Sequence, residues 1–150
     1  MPTRLLGRAR RLKWRSACAG RRTRKHDQIA GYRRLCALEP GEWFRSVAPA
    51  RYLKLYNEIL NQLDPAAIFD RLIAFGANPV MLCWETASDC RSGKTFCHRH
   101  LVAQWLEQRL SIQVREVDHP NLDRFTYLRT LGIAAPDYRE TSPAPAHSFR

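Results

Sequence analysis

The feature that most restricts how this chain folds is a short apolar run followed by a loop and an amphipathic helix. Val80-Met81-Leu82-Cys83-Trp84 is continuously apolar and is entered through Gly76 and Asn78-Pro79. A run of that length bounded by turn residues reads as a buried strand of a parallel sheet. Residues 86–96 contain Ser, Asp, Gly, Lys and Thr and read as a loop. From Cys97 to Leu110, the residues Leu101, Val102, Trp105, Leu106 and Leu110 recur at helical spacing and line one face. Ile112, Val114 and Val117 then alternate with polar neighbours, the period of a further strand. Strand, loop, helix and strand make a βαβ unit with a right-handed crossover, so the expected class is α/β.

Upstream, Tyr52, Leu53, Leu55, Tyr56, Ile59, Leu60 and Leu63 predict a helix that starts near Pro49. A second begins at Asp64-Pro65, where Asp64 suits the cap and Pro65 the first helical position. Ile68, Leu72, Ile73 and Phe75 supply its apolar face and Gly76 its stop. Leu38-Glu39-Pro40-Gly41 and Gly31-Tyr32 read as turns, residues 12–19 as a weak strand, and residues 121–131 as a short final helix.

Charge divides the chain. Residues 1–34 hold twelve Lys/Arg and one acid, Asp27, whereas residues 35–150 hold thirteen of each sign, so the whole net charge of +11 sits in the first segment. Arg21, Arg22, Arg24 and Lys25 form its densest run. Such a block attracts nucleic acid through phosphate contacts, or is simply a solvated basic arm. It is also Arg-rich and acid-poor in the manner of organelle transit peptides, although nothing else supports targeting. The expected organisation is a basic segment over residues 1–30, one domain over 31–134 and a loose tail over 135–150, where prolines and polar residues accumulate.

Composition excludes several classes. Hydrophobic residues at 45% and charged residues at 26% are globular values, against wholesale disorder. No apolar run approaches the roughly 20 residues of a membrane helix, and no apolar core of a signal peptide precedes the domain. The five cysteines are odd in number and unevenly placed, which favours a reducing, cytoplasmic setting over a disulfide framework.

The chemistry concentrates where the expected strand hands over to the expected helix. Cys83, Glu85, Cys97, His98, Arg99 and His100 all fall there. In an open α/β sheet, ligands bind beyond the carboxyl ends of strands. A helix start presents free N–H groups and lowers the pKa of a cysteine placed on it. Three readings follow. In the first, Cys97 is a reactive thiolate, His98 an acid or base, and Arg99 the anchor of an anionic small molecule. The position where a phosphatase loop carries its arginine is Ala103, so that particular chemistry does not fit. In the second, Cys83, Cys90, Cys97 and His98 or His100 bind zinc, with suitable donors but at seven-residue intervals that match no common zinc spacing. In the third, the cysteines pack as small hydrophobes and Glu85 pairs with Arg99 to hold the turn. Trp84 and Trp105 read as core, and His119 before Pro120 as a turn residue. No cofactor, substrate or oligomeric state is named by these residues.

Leu82-Cys83-Trp84-Glu85, a loop, and then Cys97-His98-Arg99-His100-Leu101-Val102-Ala103-Gln104-Trp105-Leu106 resembles the signature of the domain of unknown function 488 family, in its compact Cys-x-Glu…Cys-His-Arg form. Gly31-Tyr32-Arg33-Arg34-Leu35 is similar to that form's Gly-x-x-Tyr-x-x-Leu stretch, with the glycine closer to the tyrosine. Tyr52, Tyr56, Leu60 and Asp64-Pro65 fall where it has a tyrosine-bearing helix. The resemblance spans roughly residues 31–117. It implies a small three-layer Rossmann-like domain with a mostly parallel sheet, in a bacterial or phage-type cytoplasmic protein. It places Tyr32 near the site and implies no reaction. Cys90 in the loop and the strongly basic first 30 residues depart from the family's pattern.

Overall fold

Local signals set the first two helices. In the computed structural model, which describes residues 10–11, 35–76, 79–81, 85, 87–116 and 121–139, helix α1 spans Pro49–Asn61 and helix α2 spans Pro65–Ile73. Each has its proline in the first turn, where a missing N–H leaves no helical bond unmade. Asp64 caps α2 by accepting the Ala66 N–H at 2.9 Å, an arrangement worth about 1 kcal/mol. Helix α1 buries Tyr52, Leu53, Tyr56 and Leu60. Helix α2 buries Ile68 and Leu72, while Ile73, expected on the same face, points largely into solvent.

Two 3-10 turns, Cys36–Leu38 and Glu42–Arg45, precede α1 and flank the expected turn at Leu38-Glu39-Pro40-Gly41. The Tyr56 hydroxyl donates to the Leu38 carbonyl at 2.6 Å, which pins the first of them to α1.

A short helix, α3, spans Ala87–Arg91, inside the stretch expected to be loop. It closes through the Gly93 N–H on the Cys90 carbonyl and the Lys94 N–H on the Asp89 carbonyl, with Gly93 at φ +67°. A β-carbon at Gly93 would stand 3.1 Å from Cγ2 of Thr126, so both its conformation and its neighbour favour glycine.

Helix α4, His98–Leu110, lies against α1 and α2. It buries Leu101, Val102, Ala103, Trp105 and Leu106, and also His98 and His100, so its first two turns are enclosed on nearly every side. Trp105 belongs to the core, as expected. The helix ends at Ser111, whose left-handed φ of 52° turns the chain back. A last helix, α5, covers Thr126–Thr130, shorter than the expected 121–131, and buries Leu128.

The expected sheet is overturned. Among the described residues, strand pairing amounts to β1 (Arg10–Arg11) beside β2 (Pro79–Val80), parallel, two residues each, in register Arg10 to Pro79 and Arg11 to Val80. The described chain is otherwise helix and connecting segment. The three-layer Rossmann-like α/β domain with a mostly parallel sheet is therefore not the architecture, and the fold implied by the family resemblance goes with it.

The segment after α4 shows why. Ile112 and Val114 are half-buried between exposed Ser111, Gln113 and Arg115, so the alternation is real. Among the described residues, no neighbouring strand completes it. The Val114 N–H donates to Oε1 of Glu107 at 2.9 Å, and its carbonyl accepts from the Arg124 guanidinium. Side chains supply both main-chain bonds that a ladder would have made, and a period of two reports an extended segment laid on a helix.

Residues 135–139, within the segment expected to be loose, pack against the helices. Tyr138 is 1% exposed; its hydroxyl donates to Oδ1 of Asn57 at 2.6 Å and its N–H to Oε1 of Gln108 at 2.7 Å. Gln104 donates to the Pro136 carbonyl, so this segment straps α1 to α4. Burial holds the Tyr138 phenol well above its ordinary pKa. The expected strand over 12–19, the turn at Gly31-Tyr32, and Leu82, Cys83, Trp84, Val117 and His119 lie outside the described residues.

Candidate metal centre

Cys97 is the residue before α4, in extended conformation (φ −116°, ψ 135°), and His98 is the first residue of the helix. Both side chains turn inward: Cys97 is 0% and His98 4% exposed. Glu85, half-buried, follows β2 along the chain. One donor atom from each of Glu85, Cys97 and His98 lies within 4.8 Å of the other two. Glu85 from the first half of the Cys-x-Glu…Cys-His-Arg pattern thus meets Cys97 and His98 from the second.

Aromatic rings hold the Cys97-His98 step in place. Before it, Phe96 meets Tyr52 edge-on at 5.1 Å and stacks on Tyr127 at 6.1 Å. After it, the His98 ring meets Tyr56 at 5.7 Å with the planes 71° apart. The residue spacing that predicted helix α1 is therefore also what brings two tyrosines against the centre.

The next two residues do something else. Arg99 NH2 lies 3.0 Å from Oε2 of Glu116 and 3.0 Å from Nε2 of His100. His100 Nε2 is 3.5 Å from the other oxygen of Glu116. Arg124 joins the group through Glu107 at 2.8 Å and Glu116 at 3.7 Å. Burial first, and then the Arg99 and Arg124 charges, push the His100 pKa down to about 3, so its imidazole is neutral. A neutral ring accepting from Arg99 at Nε2 carries its hydrogen on Nδ1. Among the described residues, His100 Nδ1 and Arg99 Nε have no hydrogen-bond partner.

These contacts sort the expected site residues. Cys97, His98 and Glu85 converge. Arg99 is committed to Glu116, so the ion pair expected between Glu85 and Arg99 is replaced by one across to the segment after α4. A guanidinium already neutralised there is poorly placed to anchor an anionic substrate beside Cys97. Of the expected zinc set, Cys97 and His98 belong to the group, Cys90 is buried on α3 outside it, and His100 faces Arg99 and Glu116. Cys83, Tyr32, Arg21, Arg22, Arg24 and Lys25 lie outside the described residues.

Glu85 joins the group although the expected zinc set omits it; carboxylate is a zinc donor, and that chemistry is the available signal. Glu116, Glu107 and Arg124 carried no local signal at all, because their partners are distant in sequence. Glu116, Arg115 and Arg124 also border an open cleft of about 270 Å³ that does not include Glu85, Cys97 or His98.

No family model, no curated protein and no solved structure matches the chain.

Proposed function

We propose that this chain is a metal-binding domain whose centre is Glu85, Cys97 and His98, and that the metal is zinc. The observation that carries the reading is the convergence of a carboxylate, a thiol and an imidazole within 4.8 Å, two of them buried. This donor set suits a borderline-soft ion that takes sulfur, nitrogen and oxygen together. The helix start adds a partial positive charge beside the sulfur. Three protein ligands leave one coordination position for water or a further donor. The competing reading, an accessible nucleophilic thiol with Arg99 as anion anchor, is disfavoured by the complete burial of Cys97 and by the Arg99 pairing with Glu116.

Metal analysis of the chain, purified without a histidine tag, tests this. The expected result is bound zinc, lost in Cys97→Ser and His98→Gln, with a fall in Tm on adding a chelator. Metal-free protein whose Tm ignores both zinc and chelator overturns it.

A second reading concerns residues 1–34, because they hold the entire excess of positive charge. It assigns Arg21, Arg22, Arg24 and Lys25 to phosphate contacts with nucleic acid. Binding should then weaken steeply as salt rises and vanish when residues 4–34 are deleted; binding that survives the deletion contradicts it. Among the described residues, no helix is long and apolar enough to cross a membrane.

A further inference from the structure

We infer that Tyr56 is the positioning residue of the His98 ligand, its ring setting the orientation of the imidazole and so the metal affinity; this rests on the metal reading of the centre. Tyr56 is 0% exposed and fixed at both ends. Its hydroxyl is tied to the Leu38 carbonyl at 2.6 Å, and its ring meets His98 at 5.7 Å and 71°. The backbone of His98 is set by the helix start, and rotation of the side chain aims the imidazole. A buried ring standing edge-to-face against it restricts that rotation. Tyr52 packs on Tyr56 at 5.9 Å and on Phe96 at 5.1 Å, so the same helix braces the residue on the other side of Cys97. Residues that orient a ligand without touching the metal typically change metal affinity by about 10- to 100-fold when removed.

Cobalt(II) is the probe, because sulfur-to-cobalt charge transfer and the visible ligand-field bands report the ligands directly. The full chain and three variants are titrated at a temperature where circular dichroism shows each one folded. Tyr56→Leu, which removes the ring, should bind cobalt about tenfold more weakly and with altered ligand-field bands. Tyr56→Phe keeps the ring and should restore most of the affinity and the original bands. Leu60→Ala, one turn further along α1 and equally buried, should lower Tm and leave affinity and bands unchanged. Wild-type affinity and spectrum in Tyr56→Leu overturn the inference, as does an equal loss in Leu60→Ala. Absence of a sulfur-to-cobalt band in the unsubstituted chain is a different failure: it removes the metal reading itself.

Discussion

Within one turn of α4, adjacent pairs of residues face opposite chemistry. Cys97 and His98 turn towards Glu85 and with it make a group that could hold a metal ion. Arg99 and His100 turn towards Glu116 and Arg124, where both arginines pair with Glu116 and the neutral His100 ring accepts from Arg99. In sequence the four are one uninterrupted motif, Cys-His-Arg-His. In space they are two sites, because successive residues leave a helix in directions about 100° apart. A contiguous motif at a helix start is therefore not evidence for a contiguous site. The two regions also hold different parts of the chain: one ties α4 to residue 85, the other ties it to the segment from 113 to 124.

The sharpest way to separate them is to remove each in turn. Cys97→Ser should abolish zinc-dependent stabilisation, which for free zinc a thousandfold above its Kd is about 4 kcal/mol. It should leave the acid dependence of stability untouched. Thermal melts with and without zinc check this, and a zinc response that survives the substitution breaks the comparison. Glu116→Gln should do the reverse. It leaves Arg99 without its carboxylate in a mostly buried position and should cost about 3 kcal/mol in denaturant unfolding, with zinc stoichiometry unchanged. A variant that loses zinc would show that the two regions are one site.

Counted per pH unit, the smallest of these effects is a pH dependence. His100 titrates near 3 in the folded chain and near 6.5 in the unfolded one. Below pH 6.5 the unfolded chain takes up a proton that the folded chain refuses. The stability from this group is complete above about pH 6.5 and declines towards pH 3, by at most about 1.4 kcal/mol per pH unit. His100→Gln should flatten that slope in urea titrations, while a slope unchanged by the substitution would mean that another group carries it.

Helices α1, α2 and α4 were legible because their signals are local: an N-terminal proline, the Asp64 cap, and apolar residues at helical spacing. The sheet was misread because alternation at 112–116 records which side chains face inward and not what bonds the backbone. Only the positions of Glu107 and Arg124 decide that, and they come from other elements. Helix α3 spans five residues, too few to show a period. Glu85, Cys97 and His98 were legible as neighbours of one turn, and a donor atom from each lies within 4.8 Å of the others. The division of labour within Cys-His-Arg-His was not legible, since Glu116 lies far beyond any local pattern.

The central claim is that sulfur from Cys97 and nitrogen from His98 share one metal ion. X-ray absorption at the zinc edge on the full chain tests it most directly. The account predicts a sulfur shell at about 2.3 Å beside a nitrogen and oxygen shell at about 2.0–2.1 Å, with the sulfur contribution reduced in Cys97→Ser. A shell of nitrogen and oxygen alone, identical in the two proteins, would contradict it.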